Sequence, residues 1–116
     1  MRLCHRNDLP ERGSRGFDPK CTGQDSLLLV RKGDGLFAYA DACPHHNTPL
    51  AWRKDAYLNG KGDRIVCAAH GAQFEIETGL CTLGPCLGQS LAMVPIIINS
   101  QGEIFLAHDY SKETEQ

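Results

Sequence analysis

Two short segments of the chain each combine a cysteine with a histidine. The first is Cys43-Pro44-His45 and the second is Cys67-Ala68-Ala69-His70, with residues 46–66 between them. Because each pair falls within a few residues, each places one thiolate and one imidazole on a single short loop. Two such loops facing each other would offer two sulfur and two nitrogen ligands to one inorganic centre.

Two kinds of metal centre use this ligand set. A [2Fe–2S] cluster can have two Cys on one iron and two His on the other, whereas Zn²⁺ takes two Cys and two His in a tetrahedral site with many spacings. Zinc fingers usually group the two cysteines together and the two histidines together, but each loop here carries one of each. The mixed pairs favour the cluster, and a zinc-stabilised structural or binding module is the alternative.

Length and composition indicate one domain rich in turns. The chain has 116 residues, of which 41% are hydrophobic, with 12 Gly and 6 Pro. So many turn-forming residues favour an all-β or loop-rich architecture over a helical bundle. The net charge of −2, without a basic block, argues against nucleic-acid binding.

The chain also lacks the sequence features of exported or membrane-spanning proteins. Its longest apolar run, residues 91–98, is too short to cross a bilayer, and its first residues carry no apolar export segment. Six cysteines in such a chain favour metal ligation and reduced thiols over a disulfide framework. We therefore expect a cytoplasmic protein without a membrane segment, and a monomer.

Short strands are predicted to position the two ligand loops. The alternation of apolar residues, with Gly33-Asp34-Gly35 as a hairpin turn, places inward-facing residues in several of them. Residues 7–20, 52–63 and 81–88 are predicted to be irregular, with 52–63 a solvated insert, and Cys21 to be a small buried or half-buried residue. The predicted strands are residues 1–6, 26–32, 36–40, 64–67, 73–77, 94–98 and 103–107, with Leu3, Phe37, Tyr39, Phe74 and Ile76 facing inward.

The two ligand segments resemble the cluster-binding boxes of Rieske proteins. The resemblance rests on Cys43-Pro-His45-His-Asn-Thr-Pro49-Leu50 and Cys67-Ala-Ala-His70-Gly71, and is extended by Phe74, Thr78-Gly79 and Gly84-Pro85. It covers almost the whole chain and is similar to small Rieske ferredoxins and stand-alone Rieske domains. It implies an all-β Rieske fold, with antiparallel sheets and two cluster-binding loops at one end, over residues 1–108, followed by a polar tail at 109–116.

The resemblance assigns roles to individual residues. Cys43 and Cys67 would bind the inner iron of a [2Fe–2S] cluster, and His45 and His70 would bind the outer iron nearer to solvent. Gly84-Pro85 would cover the cluster from a third side. His46 would lie at the rim of the site without being a ligand.

Departures from the family pattern suggest a low reduction potential. Respiratory Rieske proteins carry an extra Cys in each box, and Thr48 and Ala69 at those positions cannot form the bridge. Those proteins also place hydroxyl groups where this chain has Ala72 and Phe74. Fewer donors to sulfur mean less stabilisation of the added electron, so we expect the low end of the Rieske range. The segment between the boxes is also longer than in many members.

The resemblance implies a one-electron carrier, a ferredoxin, rather than an enzyme. Electrons would come from a flavin or NAD(P)H-linked reductase and pass to a separate oxygenase. Once His45 and His70 are assigned, His5, His46 and His108 remain, and there is no second domain for a 2-His-1-carboxylate iron site. A cluster-containing redox sensor is a further alternative.

Several other residues have two interpretations. Cys81 and Cys86 flank Gly84-Pro85 and are predicted to be reduced, buried thiols, with a disulfide as the alternative; Cys4 has no assigned role. Four acidic residues could steer a basic partner or be ordinary solvated side chains. These are Asp41, Asp55, Glu75 and Glu77.

Overall fold

The computed structural model describes residues 2–19, 21–44, 50–51, 53–68 and 71–107. Within these ranges the regular elements are short strands and one turn of 3-10 helix, with no α-helix. The elements are β1 (Arg2–His5), the 3-10 turn (Arg6–Asp8), β2 (Arg12–Phe17), β3 (Leu27–Lys32), β4 (Gly35–Ala40), β5 (Arg64–Val66), β6 (Gln73–Glu75), β7 (Cys81–Leu83), β8 (Ile96–Ile98) and β9 (Glu103–Leu106).

The strands form three antiparallel sheets of three strands each. Their orders are β1-β9-β8, β2-β3-β4 and β5-β6-β7. The first sheet brings together the first and last strands of the described ranges, because β1 pairs with β9. This arrangement confirms the predicted all-β architecture with antiparallel sheets.

Strand β3 lies between two hydrophobic cores. Four of its six residues, Leu27–Val30, are fully buried. Leu28 and Val30 pack in one core, whereas Leu27 and Leu29 pack in the other. The alternation of the side chains along the strand explains how one run of apolar residues contributes to two cores.

We call these two cores the loop-side core and the far core. The loop-side core contains the cysteines of both ligand segments, and the far core lies on the other face of the β2-β3-β4 sheet. Members of the loop-side core include Leu28, Val30, Tyr39, Cys43, Leu50, Tyr57, Cys67, Ala72, Phe74, Cys81 and Cys86. Members of the far core include Cys4, Leu9, Leu27, Leu29, Ala38, Val94, Ile104 and Leu106.

The predicted β3–β4 hairpin is confirmed. Lys32 pairs with Gly35, which leaves Gly33 and Asp34 as a two-residue turn. Gly33 has φ +60°, a conformation that favours glycine and suits a tight hairpin. Phe37 and Tyr39 then face the loop-side core, as predicted.

Strand β2 occupies part of the segment predicted to be irregular, so that prediction was wrong. All six residues of β2 pair with β3. The strand follows from this pairing rather than from local propensity, because its two glycines carry no side chain to alternate. Gly16 is required by close packing: a Cβ there would lie 2.4 Å from both the Tyr57 hydroxyl oxygen and Asp25 Oδ2.

Other strands match the predictions with shifted detail. Residues 81–88 were predicted to be a loop, but Cys81–Leu83 form β7 against β6. In β1 the fully buried residue is Cys4, while Leu3 is half-buried against the far core. Cys21 was predicted to be buried or half-buried, yet it is exposed in a turn with φ +54°.

The insert between the ligand segments is only partly solvated, which corrects the prediction of a solvated loop. Leu58 pairs with Ile65 across the Asn59-Gly60 turn. Tyr57 is 1% exposed and belongs to the loop-side core. The described ranges contain no helix with the length and apolar character to cross a membrane.

Candidate metal centre

The first ligand segment follows β4 directly. Asp41 N–H donates to the Ser26 carbonyl over 3.0 Å and thereby fixes the chain as it leaves the strand. Cys43 comes two residues later and is fully buried in the loop-side core. Buried thiol sulfur beside a rigid strand end fits an inner, water-excluded metal ligand.

The second ligand segment follows β5 and is closed by its own backbone. Cys67 N–H donates to the Ala72 carbonyl over 2.8 Å, and Gly71 N–H donates to the Cys67 carbonyl over 2.8 Å. Gly71 has φ +71°, so glycine suits this tight return. Cys67 is fully buried in the same core as Cys43.

A direct backbone contact joins the two segments. The Ala68 N–H, next to Cys67, donates to the Leu50 carbonyl over 2.9 Å. Leu50 ends the first ligand segment and is fully buried. The structure therefore holds the two cysteine-bearing segments together, as the ligand hypothesis requires.

A third segment, residues 84–88, lies against the second one. Gly84 has φ +110°, and a Cβ on it would lie 2.7 Å from Ala72 Cα. This close approach places the Gly84-Pro85 turn beside the Cys67–Ala72 segment. Leu83 and Leu87, which flank the turn, are 56% and 66% exposed and give this end of the molecule an apolar surface.

Two further thiols lie in the loop-side core. Cys81 and Cys86 are both buried and reduced, as predicted, with their sulfurs 3.2 Å apart. The pKa of the Cys86 thiol is raised to about 12, mainly because the thiol is buried. The neighbouring Cys81 and Cys43 sulfurs raise it further. Among the described residues, no set of three or more His, Cys, Asp or Glu could hold a metal ion by itself.

The carboxylate of Asp41 brackets the first ligand segment. Its Oδ1 accepts the Leu50 N–H over 2.8 Å, and its Oδ2 accepts the Tyr57 hydroxyl over 2.7 Å. Burial raises the pKa of Tyr57 strongly, and the hydrogen bond to Asp41 adds to it. Sequence reasoning named Asp41 only as a surface charge and missed Tyr57, because no local pattern joins positions 41 and 57.

The other acidic residues also have partners within the chain. Asp55 Oδ1 accepts the Gly16 N–H over 2.8 Å. Glu77 pairs with Lys32 over 2.6 Å, and the Lys32 ammonium lowers the pKa of that carboxyl. Glu75 accepts the Thr78 hydroxyl over 2.7 Å. These contacts give each carboxylate a structural role.

No described tyrosine offers its hydroxyl to the buried cysteines. Tyr39 donates its hydroxyl to the Ile76 carbonyl over 2.7 Å, and Tyr57 donates to Asp41. Ala72 and Phe74, which occupy the family's hydroxyl positions, are fully buried. The hydroxyl groups that respiratory members of the family place at these two positions are therefore missing here.

The predicted ligands divide into two groups. Cys43 and Cys67 lie in one buried core, on segments joined by the Leu50–Ala68 hydrogen bond. His45 and His70 lie outside the described residues, as do His46, Thr48 and Ala69. Two thiols excluded from water, on segments that are hydrogen-bonded to each other, fit the sulfur half of a mixed Cys–His cluster site.

The chain belongs to the Rieske [2Fe-2S] domain family, whose pattern it matches over residues 1–102. The family match decides between the two metal centres that the ligand types allowed, and the cofactor is a [2Fe–2S] cluster rather than Zn²⁺.

Comparison with individual proteins gives the same picture. Ferredoxin CarAc of Metapseudomonas resinovorans is 27% identical over 107 residues, which are 92% of this chain and 92% of that protein. A chain in the structure of the complex of reduced oxygenase and oxidized ferredoxin in carbazole 1,9a-dioxygenase is 27% identical. It has a TM-score of 0.71, with 92% of this chain and 91% of that chain covered. The protein is thus a ferredoxin-like Rieske domain.

A second kind of relative contains this domain as a small part. Apoptosis-inducing factor 3 of Mus musculus and of Homo sapiens is 34% identical over 77 residues, which are 66% of this chain. The match spans 11% of the length of those proteins. The similarity therefore concerns the Rieske domain within a much longer chain.

Proposed function

We propose that this protein is a one-electron carrier that passes electrons from a flavin or NAD(P)H-linked reductase to an oxygenase or similar partner. The observation that carries the proposal is the family match over residues 1–102, together with two buried cysteines on segments that are hydrogen-bonded to each other. CarAc, which is similar over nearly its whole length, is a ferredoxin. We further propose a cytoplasmic location and a monomeric state.

In this proposal the ligands are Cys43 and Cys67 for the inner iron and His45 and His70 for the outer iron. The cluster supplies one-electron reduction and oxidation when it is bound. Full burial of Cys43 and Cys67 excludes water from the thiolates and protects them from oxidation. The Leu50–Ala68 hydrogen bond keeps the two segments together while the charge of the site changes.

The exposed apolar residues beside Gly84-Pro85 support docking of a protein partner at this end. Leu83 and Leu87 expose more than half of their surface, next to the segment that carries Cys67. A short path between redox centres requires the partner to approach this end. In the related carbazole 1,9a-dioxygenase, reduced oxygenase and oxidized ferredoxin form a complex.

The experiment is spectroscopic and analytical. The purified protein should absorb visible light, contain about two irons and two sulfides per chain, and give a rhombic electron paramagnetic resonance signal after dithionite reduction. A colourless protein with stoichiometric zinc would overturn the proposal. A cluster that no reductase reduces, in a protein that binds a regulatory partner, would favour the redox-sensor alternative.

Matched variants test the ligand assignment. Cys43→Ser and Cys67→Ser should abolish the rhombic signal, whereas Cys81→Ser, which alters a buried thiol in the same core, should keep it. Likewise His45→Ala and His70→Ala should abolish the signal and His46→Ala should not. Loss of the signal in a control variant would require a different ligand set.

A further inference from the structure

Asp41 links the beginning of the first ligand segment to its end. Its backbone N–H donates to the carbonyl of Ser26, the residue before β3. Its Oδ1 accepts the Leu50 N–H over 2.8 Å. Residues 41 and 50 enclose Cys43, so one side chain sets the span of the segment that carries this ligand. Leu50 is fully buried and the hydrogen bond is partly buried, so water competes for it less than it would at the surface.

Tyr57 connects Asp41 to the strand that precedes the second ligand segment. Its hydroxyl donates to Asp41 Oδ2 over 2.7 Å, while its carbonyl accepts the Val66 N–H over 2.8 Å. Val66 immediately precedes Cys67. One residue therefore contacts the first segment through its side chain and the strand that delivers the second segment through its backbone.

Hydrogen bonds and ion pairs also hold the segment around Tyr57 against the β2-β3-β4 sheet. The Ser14 hydroxyl donates to the Asp55 carbonyl over 2.7 Å, and Asp55 Oδ1 accepts the Gly16 N–H over 2.8 Å. Lys54 Nζ lies 2.8 Å from Asp25 Oδ2 and 3.4 Å from Asp55 Oδ1. These contacts to β2 and to Asp25, which lies just before β3, hold Tyr57 at a fixed position relative to Asp41.

We propose that Asp41 and Tyr57 are positioning residues for the cluster, and that their hydrogen bond sets the relative placement of the Cys43 and Cys67 segments. The inference rests on the proposed function, because it gives the insert at 53–63 a task within the same site. Two routes now connect the segments: Leu50 to Ala68 through the backbone, and Asp41 to Val66 through Tyr57. In this proposal the insert holds the two ligand segments in a fixed relative position.

The test compares Tyr57→Phe with Tyr39→Phe. Both tyrosines are buried in the loop-side core, and both donate their hydroxyl over 2.7 Å to a protein oxygen. Each substitution removes one hydroxyl and leaves one acceptor without its donor. Both substitutions should therefore lower thermal stability, with a charged carboxylate losing its donor in one case and a neutral carbonyl in the other, but only Tyr57 contacts the ligand segments in the proposed way.

Two measurements on the holoprotein distinguish positioning of the ligand segments from ordinary stabilisation of the fold. We expect Tyr57→Phe to broaden or shift the rhombic signal of the reduced protein and to speed cluster loss to an iron chelator roughly tenfold. That factor corresponds to about 1.4 kcal/mol, the scale of one buried hydrogen bond. Tyr39→Phe should leave the signal unchanged and alter the rate of cluster loss less than twofold.

Asp41→Asn and Asp41→Ala extend the test. The Asn side chain can still accept the Leu50 N–H, so it should preserve more of the wild-type signal than Ala, which loses both contacts. Wild-type signals and cluster-loss rates in Tyr57→Phe and Asp41→Ala would overturn the inference, as would equal effects of Tyr39→Phe. Absence of a cluster from the wild-type protein would instead overturn the proposed function.

Discussion

The sulfur atoms of Cys81 and Cys86 lie 3.2 Å apart, so two reduced thiols form a buried pair next to Cys43. Cys81 begins β7, and Cys86 follows the Gly84-Pro85 turn, so the pair joins the two sides of this hairpin-like segment. It fills space in the loop-side core with polarizable, weakly polar groups.

Burial predicts how the cysteines react with alkylating reagents. Cys21 is exposed and should be modified by iodoacetamide within minutes in the native holoprotein, whereas Cys81 and Cys86 should be modified only after denaturation. Peptide mass spectrometry with and without denaturant measures this order. Native modification of Cys86 at the rate of Cys21 would contradict the buried position.

The absence of a hydroxyl group at positions 72 and 74 predicts a low reduction potential. We expect a midpoint near the lower end of the Rieske range, which extends from about −150 to +300 mV. Phe74→Tyr should raise the midpoint by on the order of 50 mV if the new hydroxyl reaches a sulfur, because one hydrogen bond of about 1 kcal/mol has that equivalent. Redox titration followed by visible absorbance measures both values.

The control for this potential change is Phe37→Tyr. Phe37 also packs against the loop-side core but lies in β4, before the ligand segment begins. Its added hydroxyl should leave the midpoint unchanged. A wild-type midpoint well above 0 mV, or equal shifts in the two variants, would contradict the donor argument.

Partner docking at the Gly84-Pro85 end predicts a kinetic effect of surface charge. Leu87→Asp should slow the second-order reduction of the protein by an NADH-dependent flavin reductase that reduces the wild type, about tenfold or more if Leu87 is central to the contact. Its midpoint potential should not change, since Leu87 is 66% exposed. Stopped-flow absorbance measures the rate.

Ile97→Asp is the control for docking. Ile97 is 54% exposed but lies in β8, in the sheet that packs on the far core. Its replacement by a charged residue should leave the rate of reduction unchanged. If Ile97→Asp slows reduction and Leu87→Asp does not, the docking surface is on the other side of the molecule.

The contact between Gly84 and Ala72 predicts a specific loss of stability. Gly84→Ala places a Cβ 2.7 Å from Ala72 Cα and should cost about 1–3 kcal/mol from overpacking, in addition to about 1–2 kcal/mol from its positive φ. Gly88→Ala shares the positive φ but meets nothing within 4 Å, so it should show only the smaller cost. Denaturant unfolding of both variants measures the difference, and equal costs would contradict the close contact.

The sequence predicted the elements whose signals are local. The β3–β4 hairpin combines a continuous apolar run with a two-residue Gly33-Asp34 turn, and both features appear in the structure. Burial of Phe74 and Ile76 likewise follows from simple alternation. The residue types and spacing of Cys43 and Cys67 predicted that they lie close together, and both lie in the loop-side core.

The remaining features depend on contacts between distant segments. Strand β2 has little propensity of its own and forms because all six of its residues pair with β3. Tyr57 is buried because its hydroxyl meets the Asp41 carboxylate, sixteen positions earlier in the chain. Cys21 is exposed at the end of a turn, where its N–H donates to the Asp18 carbonyl, and the usual burial of cysteine does not predict this position.

Strand β3 contributes side chains to both hydrophobic cores of the molecule. Its residues alternate between the core that holds Cys43 and Cys67 and the core that holds β1, β8 and β9. Neither half keeps its packing if this strand leaves its place. We therefore expect cofactor binding at the proposed Cys43 and Cys67 site also to protect the far core, including the paired strands β1 and β9, against unfolding and proteolysis.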